Sequence, residues 1–190
     1  MRINLFGNLR ISFGGTPVDS VNTNRLRCLL AYLILHGDAP QPREGLAFAL
    51  WPGSSESQAR TNLRQLLHHL KRALPIECNL LETTHLTVRW KHDGTCAIDI
   101  VDFQAAIAEA ARARTENDRA REIRSLTAAA ELYEDDLLPG VYDDWLAPLR
   151  EEYRQRISDV LKRLAGMFEE QKEYGAAIRT MPVLTPGIPP

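Results

Sequence analysis

Cysteine is scarce and odd in number: Cys28, Cys78 and Cys96 are the only three in 190 residues, with no Cys-x-x-Cys pair. That excludes a disulfide-stapled secreted framework and fits a reducing cytoplasm. Long apolar runs are missing as well. The longest, Cys28 to Leu35, has eight residues, against the roughly 20 a membrane-spanning helix needs. The opening Met1 to Gly7 has neither an apolar core nor a small-residue cleavage site, so no signal peptide is expected. Gly-x-x-x-x-Gly-Lys-[Ser/Thr], Gly-x-Gly-x-x-Gly and His-Glu-x-x-His are all absent, which excludes a phosphate cradle, a dinucleotide fingerprint and a zinc-protease helix. The expectation is a cytoplasmic protein with no membrane span, no cofactor, no metal and no catalytic residues.

What is present is an average globular composition, 44% hydrophobic and 25% charged, enough for one large domain or two small ones. The net charge of -2 hides an asymmetry. Residues 1–96 hold 11 Lys and Arg against 7 Asp and Glu, whereas residues 97–190 hold 12 against 18. A mildly basic half followed by an acidic half suggests different partners, nucleic acid for the first and protein for the second.

Periodicity divides the chain at the same place. Residues 2–6, 9–13 and Thr16–Val18, around Gly14-Gly15, predict a small antiparallel sheet. Leu26, Leu29, Leu30, Leu33 and Ile34 mark a helix from Asn24 to His36, with cap candidates at 22–24 and a stop at Gly37. Arg43–Leu50 predicts a second helix, ended by Trp51-Pro52-Gly53 because proline cannot extend the hydrogen-bond ladder. Ser54 or Ser55 caps a third helix, which runs to about Leu74. Leu80–Thr83 and Leu86–Trp90, separated by Thr84-His85, predict a hairpin, and a last short strand lies near Cys96–Ile98. The second half reads as helices over Asp99 to about Arg114, from about Asp118, and from Asp143-Asp144 to about Phe168. The short link 135–140 carries a Pro139-Gly140 breaker and predicts antiparallel neighbours. The fold class expected is mainly α with small antiparallel β-sheets: a winged helix over 1–98, a helical tetratricopeptide-like domain over 99–181, and a disordered tail over 182–190.

The third helix carries the chemistry. On a wheel of about 100° per residue, Ala59, Leu63, Leu66, Leu67, Leu70, Ala73 and Leu74 share one face. Thr61, Arg64, Gln65, His68 and Arg72 lie opposite, flanked by Arg60 and Lys71, and no acid falls between Gln58 and Leu74. A major groove asks for this pattern, because Arg pairs bidentately with guanine, Gln with adenine, and Lys or Arg with phosphate. Thr61, Arg64, Gln65 and His68 are therefore the expected base contacts. Arg60, Lys71 and Arg72, with Arg89 and Lys91 of the hairpin, are the expected phosphate contacts, and Thr84 and His85 form the wing tip. A merely solvated polar face is the competing account of the same pattern.

The motifs Arg43-Glu44-x-Leu46, Leu50-Trp51-Pro52, Ala59-Arg60-x-Asn62-Leu63-Arg64 and Leu70-Lys71-Arg72 resemble the DNA-binding domain of the actinomycete antibiotic-regulatory-protein family of transcriptional activators. Leu137-Leu138-Pro139-Gly140, Asp143-Asp144-Trp145 and Arg150 resemble the bacterial transcriptional activation domain that follows it in that family. Leu164-Ala165-x-x-Phe168, with Tyr174 and Ala177-Ile178, is similar to a tetratricopeptide helix pair. The resemblance spans about residues 2–180 and departs at 182–190, where four prolines interrupt the pattern. It implies a response-regulator-type winged helix and a tetratricopeptide-like domain, acting in promoter binding and recruitment of RNA polymerase.

Other chemistry is weaker. Cys78, His85, His92 and Cys96 lack the paired short spacing of a zinc site. The acidic pairs Asp135-Asp136, Asp143-Asp144 and Glu151-Glu152 fit helix starts, where they complement the macrodipole. Trp51 and Trp145 stand beside breakers as core anchors. Two functions stand: a sequence-specific regulator binding double-stranded DNA, with RNA polymerase or another regulator and a homodimer as further partners, or a helical-repeat interaction module without specific DNA binding.

Overall fold

The computed structural model describes residues 1–75, 80–91 and 94–170. Cys78, His92, Tyr174 and the expected tail lie outside them. The described residues divide into two compact units, Met1–Ile98 with Leu138–Ala147, and Asp99–Leu137 with residues 148–170.

In the first unit, β1 (Arg2–Asn4), β2 (Arg10–Phe13) and β3 (Thr16–Pro17) form a meander. Gly14 and Gly15 link β2 to β3, both at positive φ (57° and 84°), the geometry a two-residue hairpin requires and glycine adopts without penalty. β7 (Ala97–Ile98) joins β1 in parallel, giving the order β3-β2-β1-β7. This sheet is therefore mixed rather than wholly antiparallel. A parallel partner comes from far along the chain, and no local pattern announces it.

Three helices follow the meander. α1 (Asn24–Leu35) starts at Thr23, whose hydroxyl accepts the Leu26 N–H at 3.3 Å. α2 (Arg43–Leu50) ends at Trp51, and α3 (Glu56–Ala73) is capped by Ser55, which accepts from Gln58 N at 3.4 Å. At the other end of α3, the Ser20 hydroxyl donates to the Ala73 carbonyl at 2.6 Å, satisfying a terminal acceptor. The second sheet has the order β4-β6-β5, with β4 (Gln41–Pro42), β5 (Leu81–Thr83) and β6 (Thr87–Trp90). β4 was not expected. At two residues it has no periodicity of its own and exists through pairing with Val88 and Thr87. Leu86, expected in the hairpin's second strand, belongs to the turn.

The core of this unit is built from Leu29, Leu30 and Leu33 of α1, Leu46 and Leu50 of α2, and Leu63 and Leu70 of α3, with Trp90 fully buried beside them. Each such leucine contributes about 1.5–3 kcal/mol through burial. The expected tryptophan anchors are reassigned: Trp51 and Trp145 are half-buried, and Trp90 takes the core position.

In the second unit, α4 (Asp99–Thr115), α5 (Arg119–Leu132) and α6 (Ala147–Glu170) carry Phe103, Ala110, Ala113, Leu126, Ala129, Tyr153, Ile157, Val160, Leu161 and Leu164 into a shared core. Asp118 caps α5 by accepting from Arg121 N at 3.0 Å. Ion pairs from Arg163 to Glu122 and from Arg119 to Glu170 join the start of α5 to the late turns of α6, so these helices run antiparallel. The link between them is not the simple hairpin turn expected. Residues 138–147 group with the first unit, where the Leu138 N–H donates to the Leu5 carbonyl at 3.1 Å. Leu138 sits at φ 48°, a left-handed conformation that costs a non-glycine residue about 1–2 kcal/mol. Burial of its side chain offsets that cost.

Candidate nucleic-acid interface

α3 sorts its residues as the wheel requires. Ala59, Leu63, Leu66, Leu67 and Leu70 are buried, while Arg60, Thr61, Arg64, Gln65, His68, Lys71 and Arg72 are exposed. Glu56 stands in the first turn and Lys71 and Arg72 in the last, so the side-chain charges also complement the helix dipole. Arg64 and Arg72 have no hydrogen-bond or ion-pair partner among the described residues. Thr61 donates its hydroxyl proton to the Ser57 carbonyl at 3.0 Å, which leaves its oxygen free as an acceptor. The His68 and His69 rings lie 6.0 Å apart in a tilted arrangement.

The flanking cations are engaged to different degrees. Arg60 holds Glu44 and Glu56, each at 2.5 Å, so a phosphate would have to displace a carboxylate. Lys71 Nζ donates to Thr83 Oγ1 at 2.6 Å, tying the last turn of α3 to β5. Arg89 is half-buried, stands opposite Glu82 across the hairpin, and its Nε donates to the Gly37 carbonyl at 3.4 Å. Lys91, also half-buried, donates its backbone N–H to Leu80 at 2.8 Å.

The hairpin turn is tightly bonded. Thr84 Oγ1 accepts from Leu86 N at 3.2 Å and from Thr87 N at 2.9 Å, and Thr84 N donates to the Thr87 carbonyl at 2.9 Å. Arg43 closes it from α2, with its backbone N–H on the Leu86 carbonyl and its Nε on the Thr84 carbonyl, both at 2.9 Å. The sequence reading missed Arg43 as a structural brace. Its position in the motif before α2 was visible, but its partners lie 41 residues or more away.

Two acidic pairs do work other than capping. Asp143 Oδ1 accepts from Arg25 at 2.7 Å and its Oδ2 from the Cys28 thiol at 3.2 Å. Burial first, and then the carboxylate, push that thiol up to about 12, which leaves it protonated and unreactive at neutral pH. Asp136 takes Arg154 and the Tyr133 hydroxyl, and the Arg154 hydrogen bond holds its carboxyl below the usual aspartate value. Trp145 stacks edge-on against Tyr32 at 5.0 Å. No group of three metal-ligating side chains occurs among the described residues, and no described helix is long and apolar enough to cross a membrane.

With this geometry in view, the comparisons bear on each half. Residues 98–185 match the family "Bacterial transcriptional activator domain". That is a family of transcriptional regulators rather than of enzymes. The match covers the half that carries Leu137-Leu138-Pro139-Gly140 and Asp143-Asp144-Trp145. Among solved structures, the chain is similar to EmbR of Mycobacterium tuberculosis, determined in complex with a low-affinity phosphopeptide. The identity is 23% and the TM-score 0.81, over 97% of this chain and 49% of that one. The likeness shows a shared fold, and this chain spans about half of that protein's length. No curated protein matches the chain.

Proposed function

We propose that this protein is a sequence-specific DNA-binding transcriptional regulator of the bacterial transcriptional activator type. The first unit acts as a winged helix in which α3 enters the major groove and the 81–90 hairpin is the wing. One observation carries this reading: α3 presents an acid-free exposed face on which Arg64 and Arg72 stand without partners among the described residues. A cation left unpaired by its own fold is available to phosphate or guanine, and it displaces counterions when it binds.

Arg64, Gln65, His68 and Thr61 read base edges. Arg72 and Lys71 neutralise phosphates, with a further contribution from Lys91 and smaller ones from Arg60 and Arg89, whose guanidinium groups already hold partners. Thr84 and His85 at the wing tip face the neighbouring minor groove. The second unit is a tetratricopeptide-like activation domain that contacts RNA polymerase or another regulator in the cytoplasm, and no cofactor is required.

The test is duplex binding across a salt series, using random DNA and a site selected from a random pool. Wild type should bind with a negative log-log slope of about 0.9 per phosphate neutralised. Arg64→Ala should cost about 1–3 kcal/mol on the selected site and relax preference at one or two positions. Arg72→Ala should weaken all sequences alike and lower the slope by about one. Absence of saturable binding by the wild type would leave the interaction-module reading in its place.

A further inference from the structure

Three large apolar side chains are strongly exposed among the described residues: Phe48, Tyr142 and, at 65%, Leu86. Leu86 differs from the other two in its setting. It occupies the turn between β5 and β6, and both of its backbone groups are satisfied, its N–H by Thr84 Oγ1 and its carbonyl by the Arg43 N–H. The fold therefore fixes this leucine in place and leaves its side chain in water, forgoing the burial energy that a leucine normally gains.

The neighbours of Leu86 indicate what covers it. Thr84, His85 and Thr87 around it are polar, so Leu86 stands as a single apolar side chain among its chain neighbours, unlike the contiguous apolar patch a protein partner needs. Lys71, which donates to Thr83 at 2.6 Å, ties the cationic end of α3 to the strand that leads into the turn. The tip is thus continuous with the phosphate-binding end of the proposed interface. A single apolar side chain on a rigid tip beside a phosphate clamp has the form of a minor-groove wedge, which partly unstacks a base step and bends the duplex.

We infer that Leu86 is such a wedge. Resting on the DNA-binding reading above, it selects duplexes by the deformability of the step under the wing. Arg43 is its positioning residue. Pyrimidine–purine steps yield most easily, so a TA or CA step at that place is preferred without any hydrogen-bond readout.

The experiment uses the full chain and a pool-selected duplex, with the wing-side step set to TA or to a stiff GG. 2-Aminopurine at that step reports unstacking, and end-to-end energy transfer reports bending. Wild type should favour TA by about tenfold, with a 2-aminopurine increase and a bend. Leu86→Ala should reduce the preference to within about twofold and abolish both optical signals, leaving the salt slope and the dependence on core bases unchanged. Arg43→Gln, which removes the Nε bond to the Thr84 carbonyl but keeps the leucine and the backbone bond to it, should lower flank preference in the same direction, by less than Leu86→Ala, with core-base dependence intact. Arg64→Ala should do the opposite, relaxing core preference and keeping the bend. If Leu86→Ala keeps the TA preference and the 2-aminopurine signal while wild type binds normally, the wedge is wrong and the DNA reading stands. If wild type binds no duplex saturably, both fall.

Discussion

Along α3, Arg64 and Arg72 stand on an exposed face with no partner among the described residues, whereas in the second unit Arg119, Arg121, Arg154, Arg156 and Arg163 each hold a carboxylate. Both halves contain similar numbers of basic residues, so the count does not separate them. Availability does. An arginine already paired must surrender its carboxylate before it can take a phosphate, and its net gain from DNA is smaller. Glu109, Glu116, Glu122, Asp136, Glu152 and Glu170 of the second half each hold an arginine of that half. Binding potential therefore depends on which cations a fold leaves unneutralised, and net charge per domain is a poor guide to it.

The comparison can be broken at several points. The largest effect should come from the buried side of α3: Leu70→Ala should cost about 2–5 kcal/mol in urea denaturation, because a fully buried leucine leaves a cavity. Next is a buried charge of the second unit. Glu122 is 5% exposed and accepts from Arg163 at 2.8 Å. Glu122→Ala should cost about 1–3 kcal/mol, with solvent at the half-exposed guanidinium keeping it below a fully buried pair.

A smaller effect should appear in the pH dependence. The Asp136 carboxyl is held below the usual aspartate value, chiefly by the Arg154 hydrogen bond. Its folded pKa is depressed, so its stabilising contribution is complete above the unfolded value and disappears as pH falls through the folded one. Melting temperatures of wild type and Asp136→Asn should accordingly differ at pH 6 and converge as the pH drops below about 3.8. The smallest effect is the most diagnostic. Arg64→Ala and Arg72→Ala should leave stability within about 0.5 kcal/mol of wild type. A loss comparable to that of Glu122→Ala would mean that these arginines are structural after all.

Much of the helical framework of both units was legible in the sequence. Thr23, Ser55 and Asp118 cap helices at or within a residue of the expected starts, and Trp51-Pro52 ends α2 where expected. Such signals act over three or four residues, so they survive in any tertiary setting. The two faces of α3 were legible for the same reason. What could not be read was the occupancy of its flanking cations. Arg60 holds Glu56 at the helical i,i+4 spacing, but its second partner, Glu44, is 16 residues away and the partner of Lys71, Thr83, is 12 residues away, and neither of these two distances corresponds to a helical or strand period. Asp143 was assigned to its own helix start on the basis of the dipole, yet Arg25 and Cys28, more than a hundred residues earlier, take its oxygens.

The sequence by itself determined where helices begin and end, which face of α3 is apolar, and that no acid interrupts its polar face. Caps, breakers and periodicity are properties of neighbours in the chain. Tertiary structure alone decided that β7 lies parallel on β1, that Gln41–Pro42 becomes a strand, that residues 138–147 pack with the first unit, and that Arg43 braces Leu86 in solvent. Each of these joins groups far apart in sequence, where pairing depends on which surfaces the collapsed core brings together.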